Sequence, residues 1–269
     1  CIRDRIDSDP MTTAFWRGLI GGSLILLALI FSKGIKVFRP AMRSGYTGII
    51  FILLIGSTTP AFVLAVTYTS VANVVFIFAS IPIFALIFSY IFLGEKISLS
   101  TLITSLIVII GLAIIAYGSK TSEISSWKGD VWALYVSAAY AGALTSLRKV
   151  KEISMVPTVP IAFLGSSLII FLFHYPFGDL DEKLIFYLLH GFFIGIASWL
   201  LTLGPRYLSS PEVSLLILLE TVFAPILVWL VIGEFPGHLA IIGGSLIIVT
   251  LFIFNLFKLL KENNSVYKY

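Results

Sequence analysis

"SVANVVFIFASIPIFALIFSYIFLGE", from Ser70 to Glu95, has a counterpart in "SSPEVSLLILLETVFAPILVWLVIGE", from Ser209 to Glu234. Each opens on a small polar step, stays almost wholly apolar and closes on Gly-Glu. Another apolar run follows each one. Gly94-Glu95 and Gly233-Glu234 stand 139 residues apart. A helix that crosses a bilayer needs about 20 apolar residues, which either segment supplies.

The whole chain has the same character. Of its 269 residues 58% are hydrophobic and 12% charged, with a mean hydropathy of +1.04. A soluble domain is closer to half apolar and about a quarter charged. There is too little charge here to coat a globule in water, so the expected class is an all-α integral membrane protein. Nine apolar runs are long enough to cross, at 14–32, 46–67, 70–93, 100–118, 130–147, 157–175, 184–203, 211–232 and 238–258. The polar links are short and leave no room for a soluble domain. Pro60, Pro82, Gly111, Gly191, Gly195 and Pro225 lie inside runs, where neighbouring helices can satisfy the freed backbone groups.

Basic residues set the expected orientation. Lys33, Lys36, Arg39, Arg43, Lys96, Arg148, Lys149, Lys151, Arg206, Lys258, Lys261 and Lys268 fall on one side, which is 12 of the 18 Lys and Arg. That side is assigned to the cytoplasm, together with the C-terminus. The formal charge of +4 then reads as a topology signal and not as a nucleic-acid surface. On this topology Gly94-Glu95 lies inside and Gly233-Glu234 outside, so the two halves are inverted, a construction typical of secondary transporters. Five helices per half would make ten. Nine leave the first half one helix short, and the chain begins with Cys1, so a missing first helix is expected. The expected domains are residues 1–118 (four helices), residues 128–258 (five helices) and a cytoplasmic tail at 259–269.

In combination these segments resemble the EamA-like branch of the drug/metabolite transporter superfamily. "DPMTTAFWRGL" (Asp9–Leu19) resembles the entry to that family's second helix. "FIFASIPIFALIFSYIFLGE" (Phe76–Glu95) and "SLLILLETVFAPILVWLVIGEFP" (Ser214–Pro236) resemble its paired helices, and "IIGGSLIIV" (Ile241–Val249) its tenth. The resemblance implies two inverted five-helix repeats and export of small metabolites such as amino acids, without ATP hydrolysis. It also favours a bacterial inner membrane.

The polar residues inside runs are the candidate substrate pathway. Glu220 comes first, because a charged acid at a helix centre costs roughly 2.5–3.5 kcal/mol on insertion scales. Aligned by Gly-Glu it falls opposite Ile81, so only one half carries this acid. It could touch substrate, carry a proton or tie helices together. Ser70, Asn73, Ile77, Ser80 and Phe84 follow at helical spacing, and Asn73 and Ser80 could bond a substrate or glue two helices. Gly191, Gly195 and Trp199 share a face: Gly-x-x-x-Gly permits close helix contact, and Trp199 could reach a cavity or an interfacial belt. His190 could relay a proton or hold structure. Arg17, beside Trp16, could snorkel to headgroups or meet a substrate carboxylate. Tyr140 could line a path or pack. Gly94-Glu95 and Gly233-Glu234 read as structural turns, and Pro82 and Pro225, inside their runs, as structural positions too.

Neither a phosphate-binding G-x-x-x-x-G-K-[ST] loop nor H-E-x-x-H nor G-x-S-x-G occurs. No cofactor or metal is expected, and a lone cysteine permits no intrachain disulfide. The partners expected are the lipid bilayer, a small-molecule substrate and a coupled proton, with a homodimer left open. The rival readings are an integral-membrane enzyme, a lipid-handling protein or a non-transporting scaffold.

Overall fold

A computed structural model describes residues 9–69, 71–96, 98–118, 126–176, 180–232 and 238–266. They form a helical bundle. In chain order the helices are α1 (Pro10–Lys33), α2 (Phe38–Met42), α3 (Tyr46–Tyr68), α4 (Val71–Phe78), α5 (Ile81–Phe88), α6 (Leu99–Gly118), α7 (Trp127–Lys149), α8 (Thr158–Phe173), α9 (Leu180–Leu203), α10 (Ser210–Ile217), α11 (Glu220–Ile232) and α12 (His238–Val266). Four helical stretches among the described residues are long and apolar enough to cross a membrane: Pro10–Lys33, Tyr46–Tyr68, Phe76–Leu93 and Leu184–Arg206. Shorter apolar stretches are Leu99–Ile115, Thr158–Phe173 and Ile241–Phe254.

Local signals fix the helix ends. Asp9 caps α1 by accepting from the Met11 N–H (2.8 Å) and the Thr12 N–H (3.1 Å), with Pro10 at the first helical position. Such a cap satisfies backbone donors that a helix start leaves orphaned. Ser209 and Glu212 form a capping box at α10, the Ser209 N–H donating to Glu212 Oε2 at 2.9 Å. After α5 the chain widens into one π-helical turn, Ser89–Leu93, and stops at Gly94, whose φ of +67° is left-handed. Only glycine takes that conformation without strain, so the expected turn at Gly94 has a backbone reason. Gly233 and Glu234 lie outside the described residues. The helix α12 runs on to Val266, beyond the apolar run that ends at 258.

Two of the expected continuous helices are interrupted. A two-residue turn at Ala79-Ser80 separates α4 from α5, and one at Leu218-Leu219 separates α10 from α11. These interruptions are also 139 residues apart, the spacing of the Gly-Glu pairs. The hydrogen bonds match as well: the Ser80 N–H donates to the Ile77 carbonyl (2.9 Å) and the Leu219 N–H to the Leu216 carbonyl (3.1 Å), both tighter than α-helical bonds. Pro82 accounts for the first interruption, because its missing N–H leaves the Phe78 carbonyl without its helical donor. Pro225 sits one turn farther on than the second interruption, inside α11. The polar stripe expected from Ser70 to Phe84 therefore does not run along one unbroken helix.

Helices meet through small residues. In lipid there is no hydrophobic drive between helices, so close van der Waals contact must supply the attraction. At the α1–α9 crossing, a Cβ added to Gly191 would lie 2.5 Å from the Cβ of Ile20, and one on Gly195 would lie 3.2 Å from the Gly21 carbonyl oxygen. The expected close contact at Gly191 and Gly195 is thus present, with Gly21 as its partner. On the other side Gly56 of α3 faces the Ala162 carbonyl of α8, at 3.1 Å from an added Cβ. Gly56 and Gly195 are again 139 residues apart. The remaining principal contacts are α1 with α8, α3 with α7, α6 with α12 and α5 with both α7 and α10. One core cluster joins Ile25, Leu29, Phe51, Leu147, Val159 and Phe163. A second joins Ala79, Val108, Leu112, Leu218, Val222 and Ile247, so both interruptions pack into it.

Candidate functional site

Ala79 and Leu218, one from each interruption, are buried in one core cluster, and three of the sequence-derived candidates lie near the interruptions. Glu220 is the first residue of α11, immediately after the second interruption. An acid there is favoured by the positive end of the helix dipole, by about 0.3–1 kcal/mol at exposed sites and up to ~2 kcal/mol where partly buried. That offsets part of the cost of holding a charge at this depth. Glu220 is exposed, not packed against the core.

Arg17 on α1 and Tyr140 on α7 both interact electrostatically with Glu220 and with each other. The Arg17 side chain turns into the bundle. Its guanidinium carbon lies 5.3 Å from the centroid of the Phe62 ring on α3, within cation–π range. Phe62 in turn contacts Phe78, the last residue before the first interruption, with ring centroids 5.9 Å apart. The Nε of Arg17 is sealed from solvent and makes no hydrogen bond. Of the two roles weighed for Arg17, snorkelling to headgroups does not describe this geometry.

Tyr140 also borders a cleft that runs from mid-bundle toward the end bearing Arg148. Phe51, Leu144, Leu147, Phe163, Ser198 and Thr202 are among its lining residues. On the other side Tyr140 packs against the small cluster of Ile81, Ala85 and Ala141, so α5 positions it.

The other candidates stand elsewhere. The Ser80 hydroxyl donates to the Ile77 carbonyl of its own chain segment (2.6 Å), and Ser137 of α7 donates to the same carbonyl (3.3 Å). Both bonds satisfy a carbonyl at the interruption; the Ser80 bond stays within its own segment, and the one that reaches across from a second helix comes from Ser137, which is not part of the stripe. Asn73 lies on α4, and its side chain lies outside the described residues. The Trp16 indole N–H donates to the Pro176 carbonyl (3.0 Å), and its ring stacks on Tyr187 at 6.0 Å. Trp16 thereby fastens α1 near the end where the helix begins. Trp199 packs against the cluster of Ile25, Leu29 and Phe163. His190 is half-buried beside the Gly191 crossing. Pro225 lies inside α11.

Sequence reasoning did not single out Phe62, Ser137 or Arg148. Arg148 carries a salt bridge to Glu95, Nε to Oε1 at 3.1 Å, and donates from Nη1 to the Pro205 carbonyl at 3.3 Å. Its position in a run of basic residues at a helix end made it look like a topology signal alone.

The described residues thus form a helical bundle with four stretches long and apolar enough to cross a membrane. The EamA-like transporter family matches the sequence twice, over residues 5–117 and 127–256. The chain belongs to the EamA-like transporter family, and with it to the drug/metabolite transporter superfamily. It is therefore a multi-pass membrane transporter of small solutes. No curated protein matches it. A solved structure titled "Crystal structure of protein" is similar in fold, with a TM-score of 0.74 at 15% identity, over 94% of this chain and 89% of the other.

Proposed function

We propose that the chain is a secondary carrier that exports small metabolites, amino acids or related compounds, by alternating access. The cluster of Arg17, Tyr140 and Glu220 carries this reading. It offers one fixed cation, one carboxylate and one hydroxyl at mid-bundle. A zwitterion could place its carboxylate on Arg17 and its ammonium on Glu220. The nine apolar segments cross the bilayer in two inverted repeats. This is supported by the 139-residue spacing shared by the Gly-Glu pairs, the interruptions and Gly56 and Gly195. Contact partners point the same way: α1 with α9 and α3 with α8 are mates under such an inversion, and α1 with α8 and α6 with α12 each map onto themselves. The end that holds Arg148 faces the cytoplasm of a cell whose inner membrane holds the protein, as does the C-terminus. The repeats extend over 1–118 and 128–258. Glu220 is the proton carrier.

Purified protein in liposomes loaded with labelled amino acids tests this. Efflux should rise with a proton gradient, need no ATP and fall at least tenfold in Arg17→Gln. Glu220→Gln should also flatten the pH dependence. A Glu220→Gln protein that transports with an unaltered pH profile removes the proton role, and ATP-dependent flux removes the carrier reading.

A further inference from the structure

At the Arg148 end, three segments are tied together around one guanidinium. Arg148 is the penultimate residue of α7. Its Nε holds Glu95, which follows the π-helical turn and Gly94 after α5, and its Nη1 holds the Pro205 carbonyl, in the 3-10 turn Gly204–Arg206 that leaves α9. A second tie lies beside it: Arg206 Nε donates to the Lys151 carbonyl at 3.0 Å. Glu95 comes from the first matched family copy, whereas Arg148, Lys151, Pro205 and Arg206 all come from the second.

Leu147 and Thr202 line the cleft that Tyr140 borders. Arg148 follows Leu147 on α7, and Pro205 lies three residues beyond Thr202. The Arg148–Glu95 pair therefore stands just past one end of the cleft's lining. Its side chains keep partial access to water, 20% for Arg148 and 32% for Glu95. Ion pairs with such access contribute little net stability. A tie that must open in every transport cycle needs that property, and a tie meant only to hold the fold does not.

We propose that the Arg148–Glu95 pair is a latch that closes the cleft at this end and must break for a solute to pass. The pair lets the last turn of α7 clamp α5 against the exit of α9. When it opens, α5 is free to swing, and Tyr140, which packs on α5, becomes reachable through the cleft. This rests on the carrier reading for its purpose, but its test needs no substrate.

A cysteine in place of Thr202, in a background where Cys1, the chain's only cysteine, is Ser, reports access to the cleft. Vesicles of either orientation are treated with a membrane-impermeant maleimide. Labelling from the Arg148 side should be slow in the parent and at least fivefold faster in Glu95→Gln, a near-isosteric change that spares the Pro205 bond. The charge swap Glu95→Arg with Arg148→Glu should bring the rate back to within twofold of the parent. Fast labelling in the parent overturns the latch, as does a rate unmoved by Glu95→Gln. A swap that keeps the parent's thermal midpoint without restoring protection also overturns it. If labelling responds as stated while no amino acid flux occurs, the latch stands and the solute reading falls.

Discussion

The guanidinium carbon of Arg17 sits 5.3 Å from the centre of the Phe62 ring, on the neighbouring helix α3. This contact holds a cation in the bundle interior and turns it from the headgroups. In a desolvated setting such a pair is worth roughly 2 kcal/mol or more. Replacing Phe62 by Leu keeps the bulk and removes the ring's negative face. Binding of a carboxylate solute, measured by isothermal titration in detergent, should weaken about tenfold, since 1.4 kcal/mol corresponds to one decade. Arg17→Lys should weaken it further, because a lysine ammonium is a compact point charge without the planar guanidinium fork.

The α1–α9 crossing should tolerate no added atoms. In Gly191→Ala the new methyl would meet the Ile20 side chain at 2.5 Å. Overpacking of this kind costs typically 1–3 kcal/mol. Gly165 of α8 has nothing within 4 Å of an added Cβ. Gly165→Ala should then be neutral or stabilising, by up to about 1 kcal/mol from helix propensity. Thermal unfolding of the two variants in one detergent should shift in opposite directions.

At Gly94 the backbone is left-handed, at φ +67°. Gly94→Ala should lose roughly 1–2 kcal/mol, the cost of a Cβ in that region. Gly94→Asn should lose less, because asparagine tolerates this conformation. Chemical denaturation midpoints rank the two. Equal losses would show that the turn reshapes around either residue.

Ser80 and Ser137 both donate to the Ile77 carbonyl. Either single alanine variant leaves the other donor in place, so each should cost no more than about 0.6 kcal/mol, the mean for such bonds in membranes. The double variant leaves that carbonyl short of both hydroxyl donors and should cost more than the sum of the two. A double-mutant cycle on unfolding free energy checks this, and strict additivity would mean that the hydroxyls act independently.

Much of the architecture was legible because it depends on length and apolarity. The all-helical class, four of the expected runs as helices long enough to cross, and the small residues at 191 and 195 follow from what lipid demands of a chain. The helix interruptions were not. Pro82 signals one of them, but at 218–219 the sequence reads "LL", which any helix accepts, and the break appears only where Leu218 packs with Ala79 in one core. The site was half legible. Arg17, Tyr140 and Glu220 stood out as polar groups in apolar runs, yet nothing local to three separate helices says that they meet. Phe62 was invisible for the opposite reason: one ring among 22 phenylalanines carries no mark of the cation above it. Arg148 and Glu95 were each legible as a charge at a helix end, and only the fold pairs them.

The two interruptions also decide what mutation can and cannot change. Where a helix breaks inside a bilayer, main-chain groups become available at a depth that otherwise offers only hydrocarbon. No codon change deletes a carbonyl. Polarity built in this way passes intact from one duplicated half to the other, whatever happens to the side chains around it. Ile81 and Glu220 occupy the same place after their breaks, and one is inert where the other is ionisable. A lineage could thus alter a few such flanking residues while the paired breaks themselves stay written in the backbone.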